Sequence, residues 1–270
     1  MRLANKTALL FGSTRGIGAA IAQTFADEGA NVVLTGRQVE AGKAQASHIE
    51  SRGGSVLFVR CDVSEEADVQ NAIATAAEHF GELTVLVNNA PPPEFGLTEV
   101  TETSNEQWHA ALRTGITSVF WATKYGVPAL LRSGGGSIIN VSSGASTMAM
   151  PGRCAYCAAK GALNAFTLSV ASEYGARAIR CNAMVLGFIA PPELLEVPGG
   201  PAEAIGAMVR ERQATSQIGG PMDAAHLAVY LASDESTFLT GALIDLDGGL
   251  HAMGIDLRRM FGQQGQRDGA

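Results

Sequence analysis

Short apolar runs alternate along this chain with stretches in which apolar residues recur every three or four positions. Thr7-Ala8-Leu9-Leu10-Phe11 has the length of a buried strand, and Asn31 to Thr35, Val56 to Val59 and Val85-Leu86-Val87 repeat the pattern. Gly136-Ser137-Ile138-Ile139-Asn140-Val141 is another such strand, emptying into a loop at Ser142-Ser143. Helical spacing lies between the runs: through Ile21, Phe25 and Gly29, over Ala41 to Arg52, and up to about Phe80. One long helix is predicted to carry Trp108, Leu112, Ile116, Phe120 and Ala129, a last helix to span Pro221 to Ser233, and a last strand Ala242 to Leu246. Repeated βα units of this length predict a parallel sheet covered on both faces, with ligands at the carboxyl ends of its strands. No internal repeat or low-complexity linker interrupts the pattern.

The first strand end is the most informative. Gly12-Ser13-Thr14-Arg15-Gly16-Ile17-Gly18 joins a strand to a helix, the arrangement in which backbone N–H groups and a helix N-terminus receive a phosphate. An ordinary tight connection would also use glycine, but three glycines placed there favour the phosphate reading. The second strand ends at Gly36-Arg37, where a dinucleotide fold selective for NAD has a carboxylate for the ribose 2′-hydroxyl. Here the carboxylate is missing and two guanidiniums, Arg15 and Arg37, stand ready for a 2′-phosphate. NADP(H) is the expected cofactor, against the alternative of two surface arginines with nothing to bind.

At the Ser143 strand end the chemistry sharpens. Tyr156 and Lys160, at i and i+4, share a helix face, so phenol and ammonium converge. A nearby cation favours a phenolate, which suits a tyrosine to general acid–base work. Alone the spacing is weak evidence, because solvated pairs share it. Its weight comes from the glycine turn, Arg37, Asp62, Asn89 and Ser143 all falling at strand ends.

Composition sets limits. A chain of 270 residues accommodates one large α/β domain or two small ones, and 46% hydrophobic residues support a sizeable core. A net charge of −7 argues against nucleic acid or an anionic membrane as the main partner. No apolar run approaches the ~20 residues of a membrane span, and the N-terminus lacks a basic-then-apolar signal, so a cytoplasmic protein is expected. Cys61, Cys154, Cys157 and Cys181 are too scattered for a disulfide framework. Cys154-x-x-Cys157 lacks the further ligands of a zinc site, so no metal is expected; a thioredoxin-like pair competes with small-residue packing around Tyr156.

Taken in order, Gly12-x3-Gly16-x-Gly18, Asp62-Val63, Asn88-Asn89-Ala90, Ser143 with Tyr156-x3-Lys160, Arg180-x-Asn182 and Asp247-Gly248-Gly249 resemble the classical short-chain dehydrogenase/reductase family, from about Lys6 to Gly249. The resemblance implies a single-domain, Rossmann-like, doubly wound parallel β-sheet of about seven strands, over residues 1–250, with a tail over 251–270. It also implies a homo-oligomer, tetramer or dimer, built by helix–helix and C-terminal strand contacts. Carried over by position, Tyr156 would exchange the proton with the substrate oxygen, Ser143 would hydrogen-bond that oxygen, and Lys160 would favour the phenolate and hold the nicotinamide ribose. Gly12, Ser13, Thr14, Arg15, Gly16, Ile17 and Gly18 would cradle the phosphates, with Arg37 beside them. Asp62 and Val63 would flank the adenine, Asn89 and Ala90 would lie along the cofactor, and Ile189 would meet its nicotinamide end. The reaction implied is hydride transfer between nicotinamide and a carbonyl or alcohol carbon.

Five positions depart from the family. Phe11 replaces a hydroxyl residue before Gly12, Pro91 replaces the glycine after Asn88-Asn89-Ala90, Leu186 replaces a proline before Gly187, and Pro191 replaces a threonine at the carboxamide. With Trp108 and Phe120 as markers, Gly115 falls where the family has an asparagine that anchors a relay water. A glycine there is expected to open space for a water or for substrate. A substrate lid is expected over 188–217, and with Met148, Met150, Pro92 and Phe95 it would make a largely apolar pocket for a bulky apolar carbonyl compound or alcohol. A sugar or small hydroxy acid would call for charged or amide groups, for which only Glu94 and Glu193 are candidates. In the tail, Met253, Ile255, Leu257, Met260 and Phe261 are expected either to dock on a neighbouring subunit, to help close a pocket, or to fray. His48, His79, His109 and His226 are read as surface residues. Competing readings are an epimerase, lyase or dehalogenase of the same fold, and a non-catalytic NADP(H) sensor or structural subunit.

Overall fold

The structure, a computed structural model, describes residues 1–93, 95–190 and 201–254. Seven strands form one parallel sheet in the order β3-β2-β1-β4-β5-β6-β7. They are β1 (Thr7–Phe11), β2 (Asn31–Gly36), β3 (Ser55–Arg60), β4 (Val85–Asn88), β5 (Gly136–Ser143), β6 (Ile179–Leu186) and β7 (Leu243–Leu246). The helices are α1 (Gly16–Asp27), α2 (Val39–Ser51), α3 (Glu66–Phe80), α4 (Asn105–Leu112), α5 (Ser118–Arg132), α6 (Cys154–Tyr174), α7 (Pro201–Arg212) and α8 (Pro221–Ala232). The parallel sheet covered on both faces that the alternation of elements predicts, and the single doubly wound domain that the family resemblance implies, are the ones observed.

Strand geometry explains the layering. Successive side chains of β1 point to opposite faces, so Ala8 and Leu10 join the core under α1, α2 and α8, whereas Leu9 and Phe11 join the core under α3, α5 and α6. Both faces are covered, which is why β1 is buried along its whole length. Chain order reverses between β1 and β4, and the crevice outside their carboxyl ends is the usual ligand position of such sheets.

The long helix expected around Trp108 is not one regular helix. A π-helical turn, Arg113–Thr117, separates α4 from α5, with Gly115 buried in it. The Ser118 hydroxyl donates to the Thr114 carbonyl, answering one acceptor in the widened turn. Helical spacing in the sequence runs on through this region, because a single widened turn barely disturbs it.

Candidate active site

The glycine turn is shaped by close approach. A Cβ on Gly12 would stand 2.7 Å from Ala90 Cα, and one on Gly18 would stand 2.2 Å from the Gly12 oxygen. Asn89 Nδ2 donates to that same oxygen at 2.6 Å, tying the end of β4 to the turn. Gly16 differs: its φ is +55° and nothing lies within 4 Å of where a Cβ would be, so its role is conformational and its face is open. Thr14 lies over the end of β2, its Cγ2 2.7 Å from a Cβ built on Gly36.

Phe11 does not leave the turn short of a hydroxyl. The Thr35 hydroxyl accepts from Gly12 N at 3.3 Å and donates to Leu10 O at 3.0 Å. Ser13, fully buried, donates to Leu10 O and accepts from Thr35 N, each at 3.0 Å. Its side chain serves the turn rather than facing the crevice. Phe11 itself is buried in the core on the opposite face.

These residues fit a dinucleotide phosphate. The first N–H groups of α1 have no intrahelical acceptor, and Arg15 at the N-cap puts no side-chain cap over them. Ile17 is half-buried behind them. Arg15 and Arg37 are exposed, and neither forms an ion pair among the described residues. Asp62 follows β3. Burial works against its carboxylate, but hydrogen bonds from Ser64 N and Oγ, with the charges of Arg37 and Arg60, outweigh that and hold its pKa below the ordinary value. Val63 and Ala90 line one small cavity beside Phe11 and Asn88.

Lys160 and Tyr156 stand on α6 beside the end of β5, the strand that carries Ser143. Lys160 is 4% exposed, and its Nζ donates to Val141 O at 2.7 Å. Desolvation lowers its pKa from 10.5 to about 8, so the ammonium remains the major form at neutral pH. Lys160 Nζ lies 5.9 Å from the centroid of the Tyr156 ring, and the Arg153 guanidinium lies 5.6 Å from it. Ser143 Oγ accepts from Ala145 N at 3.2 Å, which leaves its proton available for another acceptor. Ile189, just past β6, bridges to Gly219.

A shallow cleft opens beside Tyr156. Pro93, Phe95 and Ala111 supply apolar wall, as expected for Phe95, but Met148, Met150 and Pro92 do not line it. Met148 reaches over Gly144 instead, its Cε 2.7 Å from a Cβ built there. Thr98, Thr103, Gln107 and Arg153 add polar groups to a lining that is still mostly apolar, as the sequence suggested. Gln107 is the clearest omission. Ser104-x-x-Gln107 is a capping box, in which Gln107 Oε1 accepts from Ser104 N at 2.9 Å, and this motif fixes the start of α4 and the placement of the amide. Its Nε2 donor has no hydrogen-bond acceptor among the described residues.

The vacancy expected at Gly115 is filled. A Cβ there would stand 2.7 Å from Ala159 Cβ and 2.9 Å from Pro92 Cγ, so neither water nor substrate has that space. Glu94, Pro191 and Glu193 lie outside the described residues, as do the middle of the expected lid and the tail from residue 255. His48, His79, His109 and His226 are exposed. The four thiols are free; burial pushes Cys61 and Cys181 up to about 12, and Cys154 lines the cleft with its Sγ 3.4 Å from Thr103 Oγ1. Asp245, Asp247 and His251 bring ligand-type atoms within 4.8 Å of one another. The Asp247 carboxylate is already taken up by Gly249 N, His251 N and His251 Nδ1, closing the turn after β7.

A family model described as enoyl-(acyl carrier protein) reductase matches residues 12–251. The chain is 39% identical over 253 residues to 2,5-dichloro-2,5-cyclohexadiene-1,4-diol dehydrogenase of Sphingobium indicum, covering 92% of this chain and 97% of that protein. It is 38% identical over 259 residues to an NADP-dependent (R)-specific alcohol dehydrogenase of Lentilactobacillus kefiri, covering 93% and 98%. Among solved structures, a gluconate 5-dehydrogenase from Burkholderia cenocepacia in complex with NADP and tartrate superposes with a TM-score of 0.85 at 28% identity, covering 94% of this chain and 98% of that one. With the strand-end motifs and the sheet order, these matches show that the chain belongs to the short-chain dehydrogenase/reductase family.

Proposed function

We propose that this oxidoreductase is NADP(H)-dependent and interconverts a secondary alcohol and its ketone, with Tyr156 as general acid–base. The observation that carries the reading is buried Lys160, tied to the β5 end at Val141 O and 5.9 Å from the ring of Tyr156, which itself lines a cleft. Bound NADP(H) would supply or accept the hydride. In the reductive direction Tyr156 gives its proton to the carbonyl oxygen, and Ser143 donates a hydrogen bond to that oxygen as negative charge gathers on it. The Lys160 ammonium, held by Val141 O at 5.9 Å from the Tyr156 ring, holds the nicotinamide ribose. Gly12 to Gly18 and the α1 N-terminus receive the diphosphate, Arg15 and Arg37 the 2′-phosphate. Asp62 and Val63 sit at the adenine, Asn89, Ala90 and Ile189 along the rest of the cofactor.

For the substrate, apolar wall beside a spare amide donor suits a ring-sized apolar body carrying a second oxygen that reaches Gln107. The relative that oxidises a cyclic 1,4-diol supports this choice. Exposed Phe120 on α5 and Leu168 on α6, and Phe238 ahead of the edge strand β7, support a homo-oligomer.

The test is fluorescence titration with NADPH and NADH, followed by turnover on cyclohexanones with and without a 4-oxygen substituent. Tighter NADPH binding and turnover abolished by Tyr156→Phe are expected. Turnover that survives Tyr156→Phe overturns the mechanism, and cofactor binding without turnover on any ketone favours a non-catalytic NADP(H)-binding protein.

A further inference from the structure

Three side chains at four-residue intervals share one face of α6: Tyr156, Lys160 and Asn164. The third has no part in the reaction as proposed. It is nonetheless buried, 6% exposed, and both ends of its amide are engaged. Asn164 Oδ1 accepts from Ser142 Oγ at 2.7 Å, and Asn164 Nδ2 donates to Ser146 Oγ at 2.8 Å. Ser146 Oγ in turn donates to the Ser143 carbonyl at 2.6 Å.

The proton count fixes the orientation of this amide. Ser146 has one hydroxyl proton and gives it to Ser143 O, so towards Asn164 it must accept, and the NH₂ end of the amide must face it. The oxygen end is then left for the Ser142 hydroxyl. One side chain thus grips the residue before Ser143 and, through Ser146, the residue itself. Lys160 holds the same strand end one residue further back, at Val141 O. No other side-chain type of this length offers a donor and an acceptor together: aspartate lacks the donor and leucine lacks both.

We propose that Asn164 is a positioning residue for Ser143, setting through Ser142 and Ser146 the distance between the Ser143 hydroxyl and the Tyr156 phenol. The proposal rests on the reading of Ser143 and Tyr156 as the groups that meet the substrate oxygen. Asn164 touches neither substrate nor cofactor. It locks the β5 exit onto the helix that carries Tyr156, so that proton donor and hydrogen-bond donor keep one geometry. Misplacement on the order of 1 Å at such a site costs up to about a hundredfold in rate.

Two measurements test this. Hydrogen–deuterium exchange requires no substrate: in Asn164→Ala and in the milder Ser146→Ala, exchange over residues 143–148 should quicken while the rest of α6 is unchanged. Steady-state kinetics with the best cyclohexanone and NADPH should show kcat reduced ten- to a hundredfold in each variant, with KM and NADPH affinity within about threefold. In a Ser143→Ala background either change should cost less than about threefold more, because the group being positioned is already gone. Losses that multiply in that background, or unchanged exchange at 143–148, overturn the proposal. Ser143→Ala or Tyr156→Phe with full turnover would instead sink the underlying mechanism, an outcome the single Asn164 and Ser146 variants cannot mimic.

Discussion

The ring of Pro92 stands where a side chain at residue 115 would begin, its Cγ 2.9 Å from a Cβ built on Gly115. Two departures from the family pattern, a proline-rich loop after β4 and a glycine in the π-helical turn, are therefore one feature. The ring occupies the volume that the glycine concedes, while Ala159 on α6 closes it from the other side at 2.7 Å.

Gly115→Asn is consequently expected to damage the protein rather than restore a lost function. The added atoms must displace the 91–93 loop or part the π turn from α6, an overpacking cost of about 1–3 kcal/mol. Thermal unfolding should report a lower midpoint, and turnover should fall with it. A variant as stable as the parent and more active would show the site to be an open vacancy after all.

Lys160 carries a stability cost as well as its proposed role. Its folded pKa of about 8 lies below the ordinary 10.5, so the folded state disfavours the charge. The penalty is full below pH 8 and is relieved between pH 8 and 10.5, where the folded protein has released a proton that the unfolded chain keeps. Lys160→Met should therefore be inactive yet more stable at pH 7, by about 1 kcal/mol or more once the lost hydrogen bond to Val141 O is set against the gain. Melting curves from pH 7 to 10 check this: the advantage should shrink as pH rises, and a gap that widens would contradict burial as the cause.

Arg37 should decide the cofactor. Arg37→Asp places a carboxylate where a ribose 2′-hydroxyl would be met and removes a charge from a 2′-phosphate. NADPH affinity should fall at least about tenfold while NADH affinity rises, and Arg15→Ala should weaken NADPH alone. Equal losses for both dinucleotides in titration would place Arg37 away from the 2′ position.

Thr35 should be more important than its place in a buried strand suggests. Thr35→Val keeps the shape but strips the acceptor from Gly12 N and the donor from Leu10 O. Leu10 O keeps the Ser13 hydroxyl, but Gly12 N is left without its acceptor, which costs about 1–3 kcal/mol. A lower unfolding midpoint together with weaker NADPH binding is expected, and an unperturbed midpoint would mean that the glycine turn holds itself.

Much of the site could be read from local pattern because its parts are local. Gly12 to Gly18 between a strand and a helix, and Tyr156 with Lys160 on one helix face, each occupy a single short segment. What escaped was made of distant residues. Gln107 reaches the cleft from α4, and nothing near it in sequence points to Tyr156, whereas Arg153 lies three residues before Tyr156 and only the turn into α6 brings its guanidinium to the ring. Asn164 reads as one more polar position on α6 until Ser142 and Ser146 are brought against it. Ser13, which the motif places at the phosphates, turns inward because its hydroxyl finds Leu10 O and Thr35 N there.

The sequence by itself determined most of the order of elements, a parallel sheet covered on both faces and the strand ends at which the chemistry gathers. Apolar runs, helical spacing and glycine punctuation act over a few residues and are written in the chain directly. Only the tertiary structure decided that Pro92 fills the space beside Gly115, that Thr35 replaces the hydroxyl missing at Phe11, and that one asparagine clamps the serine loop to the tyrosine helix. Those outcomes depend on distances of about 3 Å between segments tens of residues apart, set by how the helices seat on the sheet. No local periodicity encodes them.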